Sequence, residues 1–340
     1  MLTNASQVIE RNIELLNQGD GCLVAGLPAD DLLQKLPLAT GFTWDYSVFR
    51  YMQQRNYPSL PFSAEMPKDQ IYQRAIIFVP KSREEFRLLL LMLSPLLAEN
   101  GEIFLVGEKK EGIATAAKSL SDFCSDVEKI DMARHCQLWR GQIKGDMQQP
   151  FELSHLVEIS SLELSGQQLQ VASLPGVFSH GRLDQGTELM LESMSHFSSG
   201  RVLDFGCGCG VVGAFTKLRK PAATLVLADC NALSIYCSRK TLELNALEGE
   251  VMATDGWSDL RGRFHAIITN PPFHAGVDTY YATTENFIKQ SGQNLIPGGY
   301  LTLVANAFLK YPPIIEQVFG HCRVLKENTR FRVYQAQKRN

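Results

Sequence analysis

The chain of 340 residues lacks any apolar run long enough to span a bilayer. Its longest greasy stretch, Leu88 to Leu93, is far short of the roughly 20 residues required. The opening residues, MLTNASQVIERNIELL, have no basic start followed by an apolar core, so no targeting segment is expected. These two absences predict a cytoplasmic protein without a membrane partner. Cysteines are present (Cys22, Cys124, Cys136, Cys207, Cys209, Cys230, Cys237, Cys322) but form neither a CxxC pair nor the spacing of a small disulfide framework. Reduced, buried thiols and no metal site follow. A surplus of either charge is also missing: 33 basic residues face 36 acidic ones, a net charge of −3. Bulk electrostatic coating of nucleic acid is thereby excluded, because non-specific affinity grows with the phosphates neutralised. Any RNA contact must be local and shape-driven, the basic closing stretch 329–340 being one candidate.

What is present is an ordinary globular composition over more than one typical domain length of roughly 100–200 residues. In the C-terminal half, short β-branched runs at 201–204, 224–229, 250–253, 266–269 and 300–305 alternate with helix-length stretches. That alternation predicts an α/β fold with a mostly parallel sheet. The last two runs, 322–325 and 331–336, are too close for a parallel crossover, so the final strand should enter antiparallel. The first half repeats the second at an offset of about 190 residues. Ala75-Ile76-Ile77 with Pro80 matches Ala266-Ile267-Ile268 with Pro271. Gly101 to Val106 matches Gly299 to Val304, Leu138-Trp139 matches Val333-Tyr334, and Leu23 to Gly26 matches Leu203 to Gly206. Two tandem Rossmann-like domains are expected, 1–150 and 151–340, each a seven-stranded, mostly parallel sheet with an antiparallel last strand. Residues 145–155 are the linker candidate, and 157–172 read as a hairpin around Ser165-Gly166. The first copy is degenerate: Gly26-Leu27-Pro28 replaces a glycine loop and Val79-Pro80-Lys81 replaces Asn270-Pro271-Pro272. Leu27 adds a side chain and Pro28 removes an amide where a cofactor needs close backbone approach, so this domain should hold no cofactor.

Val202-Leu203-Asp204-Phe205-Gly206-Cys207-Gly208-Cys209-Gly210 is a strand running into a glycine turn that opens a helix. Gly208, Gly210 and Gly213 satisfy the dinucleotide fingerprint, with Asp229 about 20 residues on. An acid at the end of the second strand can accept ribose hydroxyls of either a dinucleotide or S-adenosylmethionine. Asp204 separates them: a carboxylate at the mouth of the loop repels a pyrophosphate and attracts the ammonium and sulfonium of the methyl donor. The expected donor site is Asp204, Gly206, Gly208, Gly210, Asp229, Asp255 and Asn270, with Asp255 reading an adenine amino group. Upstream, Phe178, Asp184, Gly186 and Thr187 lie in a turn-rich segment that could line the mouth or only cap the following helix.

Asn270-Pro271-Pro272-Phe273 ends the fourth strand of the second copy, where open α/β sheets bind ligands. A planar amino nitrogen is a poor nucleophile because its lone pair is delocalised. Asn270 Oδ1 and the Pro271 carbonyl could each accept one of its N–H groups and favour a pyramidal nitrogen. Phe273 offers an apolar face for an extruded base. Asn270, Pro271 and Phe273 are therefore the expected catalytic residues, and Pro272, Phe273, His274 and Phe178 the expected substrate contacts. Other planar nitrogens, such as a 23S RNA guanine, a DNA adenine or a protein glutamine, stay open at this point.

Leu174-Pro-Gly-Val-Phe-Ser179, Val202-Leu-Asp-Phe-Gly-Cys-Gly208, Asn270-Pro-Pro-Phe-His274 and Val304-Ala-Asn-Ala-Phe-Leu309, together with the degenerate first copy, resemble the RsmC family of bacterial small-subunit ribosomal RNA guanine-N2 methyltransferases. The resemblance covers essentially the whole chain. It implies two class I methyltransferase domains, S-adenosylmethionine as cofactor, a guanine amino group received at Asn270 to Phe273, and 16S RNA in the small ribosomal subunit as partner of a monomer. Cys209 stands where relatives carry alanine, a small apolar exchange.

Overall fold

A computed structural model describes residues 1–16, 21–57, 60–68, 70–271 and 277–339, with the backbone alone over 277–283. The chain divides into two compact units, Met1–Leu156 and Val157–Asn340. Among the described residues no helix is long and apolar enough to cross a membrane, and no group of three or more potential ligands could hold a metal ion.

The first unit contains strands β1 (Cys22–Ala25), β2 (Ala39–Phe42), β3 (Tyr72–Phe78), β4 (Leu97–Glu108), β5 (Cys124–Ala133) and β6 (Cys136–Ile143) in the order β2-β1-β3-β4-β6-β5. β1 to β4 are parallel and β6 enters antiparallel to β4 and β5. Seven strands were expected here and six form among the described residues. Among the described residues the counterpart of the second unit's outer strand is one parallel bridge, Thr43 to Phe62. Pro61, beside it, carries no amide proton to extend a ladder. Helix Arg83–Leu93 starts at a Ser82 cap that accepts Glu85 N–H, and the Ser-x-x-Glu spacing is that of a capping box.

The second unit opens with an antiparallel hairpin, β7 (Glu158–Leu164) and β8 (Gln167–Ser173), turning at Ser165-Gly166 as the sequence indicates. Its main sheet comprises β9 (Arg201–Phe205), β10 (Thr224–Asp229), β11 (Glu250–Ala253), β12 (Phe264–Thr269), β13 (Leu295–Asn306), β14 (Arg323–Glu327) and β15 (Phe331–Gln337), ordered β11-β10-β9-β12-β13-β15-β14. β15 alone runs antiparallel to β13, with β14 antiparallel to β15. Without β11 this is the order of the first sheet. β4 and β13 are both 12 residues long, as a duplicated fold requires.

Leu203, Ile267, Leu301 and Leu303 are wholly or almost wholly buried at the sheet's centre, where they pack in one core with Ile288, Ile314 and Ile315 from the flanking helices. Strands covered on both faces read as continuous apolar runs, which is why 202–203 and 266–268 lack alternation. Strand order reverses between β9 and β12, and the register pairs Ile268 with Asp204 and Thr269 with Phe205. The next residues along each strand, Gly206 and Asn270, therefore emerge side by side at the carboxyl edge. That is the switch point at which such sheets bind ligands.

Candidate active site

The glycine turn after β9 is a backbone construction. Gly206, Gly208 and Gly210 take φ values of 71°, 53° and 78°, left-handed conformations that cost a side-chain-bearing residue about 1–2 kcal/mol. A Cβ on Gly208 would meet no atom within 4 Å, so its missing side chain leaves open space. One on Gly210 would come within 3.0 Å of Ser238. Gly210 begins helix Val211–Arg219 without a capping side chain. Asp204 supplies the missing cap from below: its Oδ2 accepts the Gly213 N–H at 2.8 Å, one of the orphan donors of the helix N-terminus. Asp204 is thus not exposed at the mouth, as its place in the sequence suggested; it is buried beneath the turn and lines the cleft. Gly213 serves packing, since a Cβ there would sit 2.8 Å from Leu227.

Asp229, at the end of β10, ties the turn to the next loop. Its Oδ2 accepts Gly208 N–H and its Oδ1 accepts Asn231 N–H, both at 2.9 Å. Burial lifts the Asp204 carboxyl to about 7, the Gly213 hydrogen bond opposing and the nearby Asp229 charge adding to the rise. Burial likewise raises Asp229 against its backbone hydrogen bonds. Among the described residues no lysine or arginine forms an ion pair with either. Two buried carboxylates without a cation are poised to accept a positively charged ligand. Ser238, on helix Ala232–Leu244, donates to Gly208 O at 2.9 Å and lies 3.2 Å from Cys207 Sγ. No sequence pattern marked Ser238, because it lies 30 residues from the turn it supports.

Asp255 is exposed on the loop after β11. That loop is held by Trp257, which stacks on Phe287 (centroids 4.6 Å apart, planes at 9°) and donates Nε1–H to the Phe287 carbonyl. Phe205 also stacks on Phe287, at 4.0 Å, with its plane close to that of Trp257.

Asn270 is the most informative side chain. Its Nδ2 donates to Asp184 Oδ2 at 2.9 Å and to Thr187 Oγ1 at 2.8 Å, while its buried Oδ1 has no hydrogen-bond partner among the described residues. Asp184 also caps helix Gln185–Ser193 by accepting Thr187 N–H, so capping and site duty coincide in one carboxylate. Pro271 is buried beside it. Pro272, Phe273 and His274 lie outside the described residues. Phe178 is 41% exposed on the loop between β8 and the capped helix and lines the cleft with Asp184, Thr187, Gly206, Gly208 and Asn270. The hairpin supports this loop: Ser173 Oγ meets His180 Nδ1 at 2.9 Å and accepts Gly181 N–H. The cleft therefore gathers Asp204, Gly206, Gly208, Asn270 and Phe178, with Asp229 joined to it through Gly208 N–H and Asp255 exposed on the loop after β11.

Comparison with known proteins agrees with this architecture. The family model described as "Methyltransferase small domain" matches residues 168–335, and that described as "Methyltransferase small domain N-terminal" matches residues 6–159. Ribosomal RNA small subunit methyltransferase C of Pseudomonas paraeruginosa is 46% identical over 93% of this chain and 94% of its own length. The Ectopseudomonas mendocina protein of the same name is 45% identical over 98% and 99%. The chain belongs to the ribosomal RNA small subunit methyltransferase C family. A T. thermophilus structure described as a 16S rRNA N2 G1207 methyltransferase (RsmC), in complex with AdoMet and guanosine, superposes on this family member with a TM-score of 0.84. It covers 98% of this chain and 92% of its own at 24% identity, and shows that both share the two-domain α/β fold. The tandem α/β fold read from strand alternation and internal repetition is therefore the fold of the family.

Proposed function

We propose that this protein methylates the exocyclic N2 of a guanine in 16S ribosomal RNA, with S-adenosylmethionine as donor and the C-terminal unit as the catalytic domain. The observation that carries the proposal is the Asn270 amide, whose donors are both engaged and whose buried oxygen has no partner among the described residues. A buried acceptor left open costs about 1–3 kcal/mol, so its retention calls for a ligand that donates. The named relatives act on small-subunit RNA by their descriptions, and the T. thermophilus protein binds AdoMet and guanosine. Both groups suit the residues found here.

The donor fits the cradle. Gly206 and Gly208 leave room for close approach, Gly210 would hold the turn against Ser238, the buried Asp204 would face its ammonium and sulfonium charges, and Asp229 and Asp255 would take its ribose hydroxyls and adenine amino group. When bound, it supplies an electrophilic methyl group on positively charged sulfur. The chain's own residues prepare the acceptor. Asn270 Oδ1 and the Pro271 carbonyl accept the two N–H groups of the guanine amine, drawing its lone pair out of the ring. Holding that nitrogen in line supplies much of the rate, since orientation is worth roughly 7–11 kcal/mol. No strong base is required, because an alkylated ammonium loses its proton readily. Phe178, with Pro272, Phe273 and His274 of the following turn, would contact the base.

The first domain would bind no donor and act as support or RNA platform. In the position of the glycine turn its Leu27 is buried in its own core, and a Cβ on Gly26 would lie 2.8 Å from Phe78 O. The substrate would be the assembled small subunit in the cytoplasm, met by a monomer. Transfer of labelled methyl to unmodified small subunits, free 16S RNA, DNA and protein fractions, followed by nucleoside analysis, tests the reading. N2-methylguanosine from subunits is expected, and label confined to DNA or protein would overturn the substrate.

A further inference from the structure

We infer that Asp184 and Thr187 are positioning residues for the methyl transfer, which lock the Asn270 amide with its oxygen toward the acceptor nitrogen. The inference rests on the reading of Asn270 as acceptor. A side-chain amide can sit either way round, and the two orientations differ by exchange of a donor for an acceptor. Around Asn270 the choice is made by chemistry. A carboxylate oxygen only accepts, so Asp184 Oδ2 at 2.9 Å requires an N–H from residue 270. The flipped amide would place oxygen against oxygen. Thr187 Oγ1, at 2.8 Å, takes the second Nδ2 proton, so neither amide hydrogen remains for the cleft.

Asp184 is itself fixed. The same Oδ2 accepts Thr187 N–H at 2.8 Å, and a Cβ on Gly186 would come within 3.0 Å of that oxygen and 3.2 Å of Phe331. Thr187 is buried, so water does not compete freely for its hydroxyl. Helix cap, carboxylate, hydroxyl and amide form one rigid relay from helix Gln185–Ser193 to the end of β12. Its result is a buried Oδ1 with no partner among the described residues, left for the one the reaction brings. Asp184 and Thr187 border the cleft, and on this reading they act on the reaction through Asn270.

The test uses the full chain with unmodified small subunits as substrate. Asp184→Ser keeps an N-cap hydroxyl, since serine caps about as well as aspartate, but withdraws the carboxylate oxygen that Asn270 Nδ2 requires. Its kcat should fall roughly 10- to 100-fold, the scale of a misplaced reacting group, with subunit KM by steady-state kinetics within about twofold of the parent. Thr187→Val should lose up to about tenfold in kcat, the worth of one hydrogen bond, and Thr187→Ser should restore most of that loss. In asparagine-selective NMR of the protein without substrate, the Asn270 side-chain NH2 pair should be shifted and protected from exchange in the parent and lose both marks in Asp184→Ser. Combined with Asn270→Ala, Asp184→Ser should cost little more. Parental kcat and an unchanged Asn270 amide signal in both Asp184→Ser and Thr187→Val would overturn the positioning role, as would an Asp184→Ser loss undiminished in the Asn270→Ala background. Parental turnover in Asn270→Ala alone would instead overturn the acceptor reading beneath it.

Discussion

Asp204→Asn should stabilise the protein without ligand while destroying its methyl-donor site, and the gain should depend on pH. The Asp204 carboxyl is raised by burial from 3.8 to about 7. Below pH 4 it is neutral whether the chain is folded or not. Between pH 4 and 7 the unfolded chain ionises and the folded one resists, so folding stability drains away as pH rises, and above pH 7 the full penalty of about 4 kcal/mol applies. Asparagine carries no such penalty and can still accept the Gly213 N–H through its oxygen. Any cost of burying its NH2 is independent of pH and cancels in the comparison. From pH 5 to pH 8 the variant should therefore gain roughly 3 kcal/mol on the parent, or roughly 6–10 °C in the melting of the C-terminal unit. Thermal and urea unfolding of the full chain without ligand, at both pH values, measure it. Donor affinity of the parent, read by calorimetry, should weaken about tenfold from pH 8 to pH 6 as Asp204 takes up its proton. A stability difference that stays constant with pH would refute an uncompensated buried charge at Asp204.

Asn270→Ala should retain donor binding and lose about 10²–10³ in kcat, the scale of removing one preorganised polar group; single-turnover methylation of small subunits checks it. Gly208→Ala, with φ of 53° and open space at the Cβ, should lower stability by about 1–2 kcal/mol yet lose donor binding far beyond that; paired unfolding and calorimetry separate the two. Phe287→Ala should cost about 3–5 kcal/mol and free the Trp257 loop, because the ring is the centre of the Phe205, Phe287 and Trp257 stack. The red shift of tryptophan emission and the unfolding midpoint report it.

Much of the fold was legible because its signals are local. Glycine spacing, proline turns and buried-strand runs located β9, β10, β11, β12 and β13, and the short link 326–330 required the antiparallel β15. Repetition within the chain disclosed the second sheet. That only six strands form among the described residues of the first unit was less visible, since it depends on whether an edge bearing Pro61 can hold a ladder. The domain boundary, placed at 150 from composition, falls between the compact units at 156 and 157, because turns 145–147 and 153–156 pack with the first.

By itself the sequence determined the chemistry on offer: a glycine turn, carboxylates at the ends of two strands, and an amide followed by prolines at the end of a third. Those properties belong to residue types and to spacing along one chain. Tertiary structure alone decided how they are used. It buried Asp204 as the cap of a helix with no capping side chain and set Ser238 under a turn 30 residues away. It also brought Asp184 and Thr187 across more than 80 residues to fix which end of Asn270 faces the cleft. The orientation of an amide is a matter of its neighbours in space, and the capped start of helix Gln185–Ser193 is what supplies them.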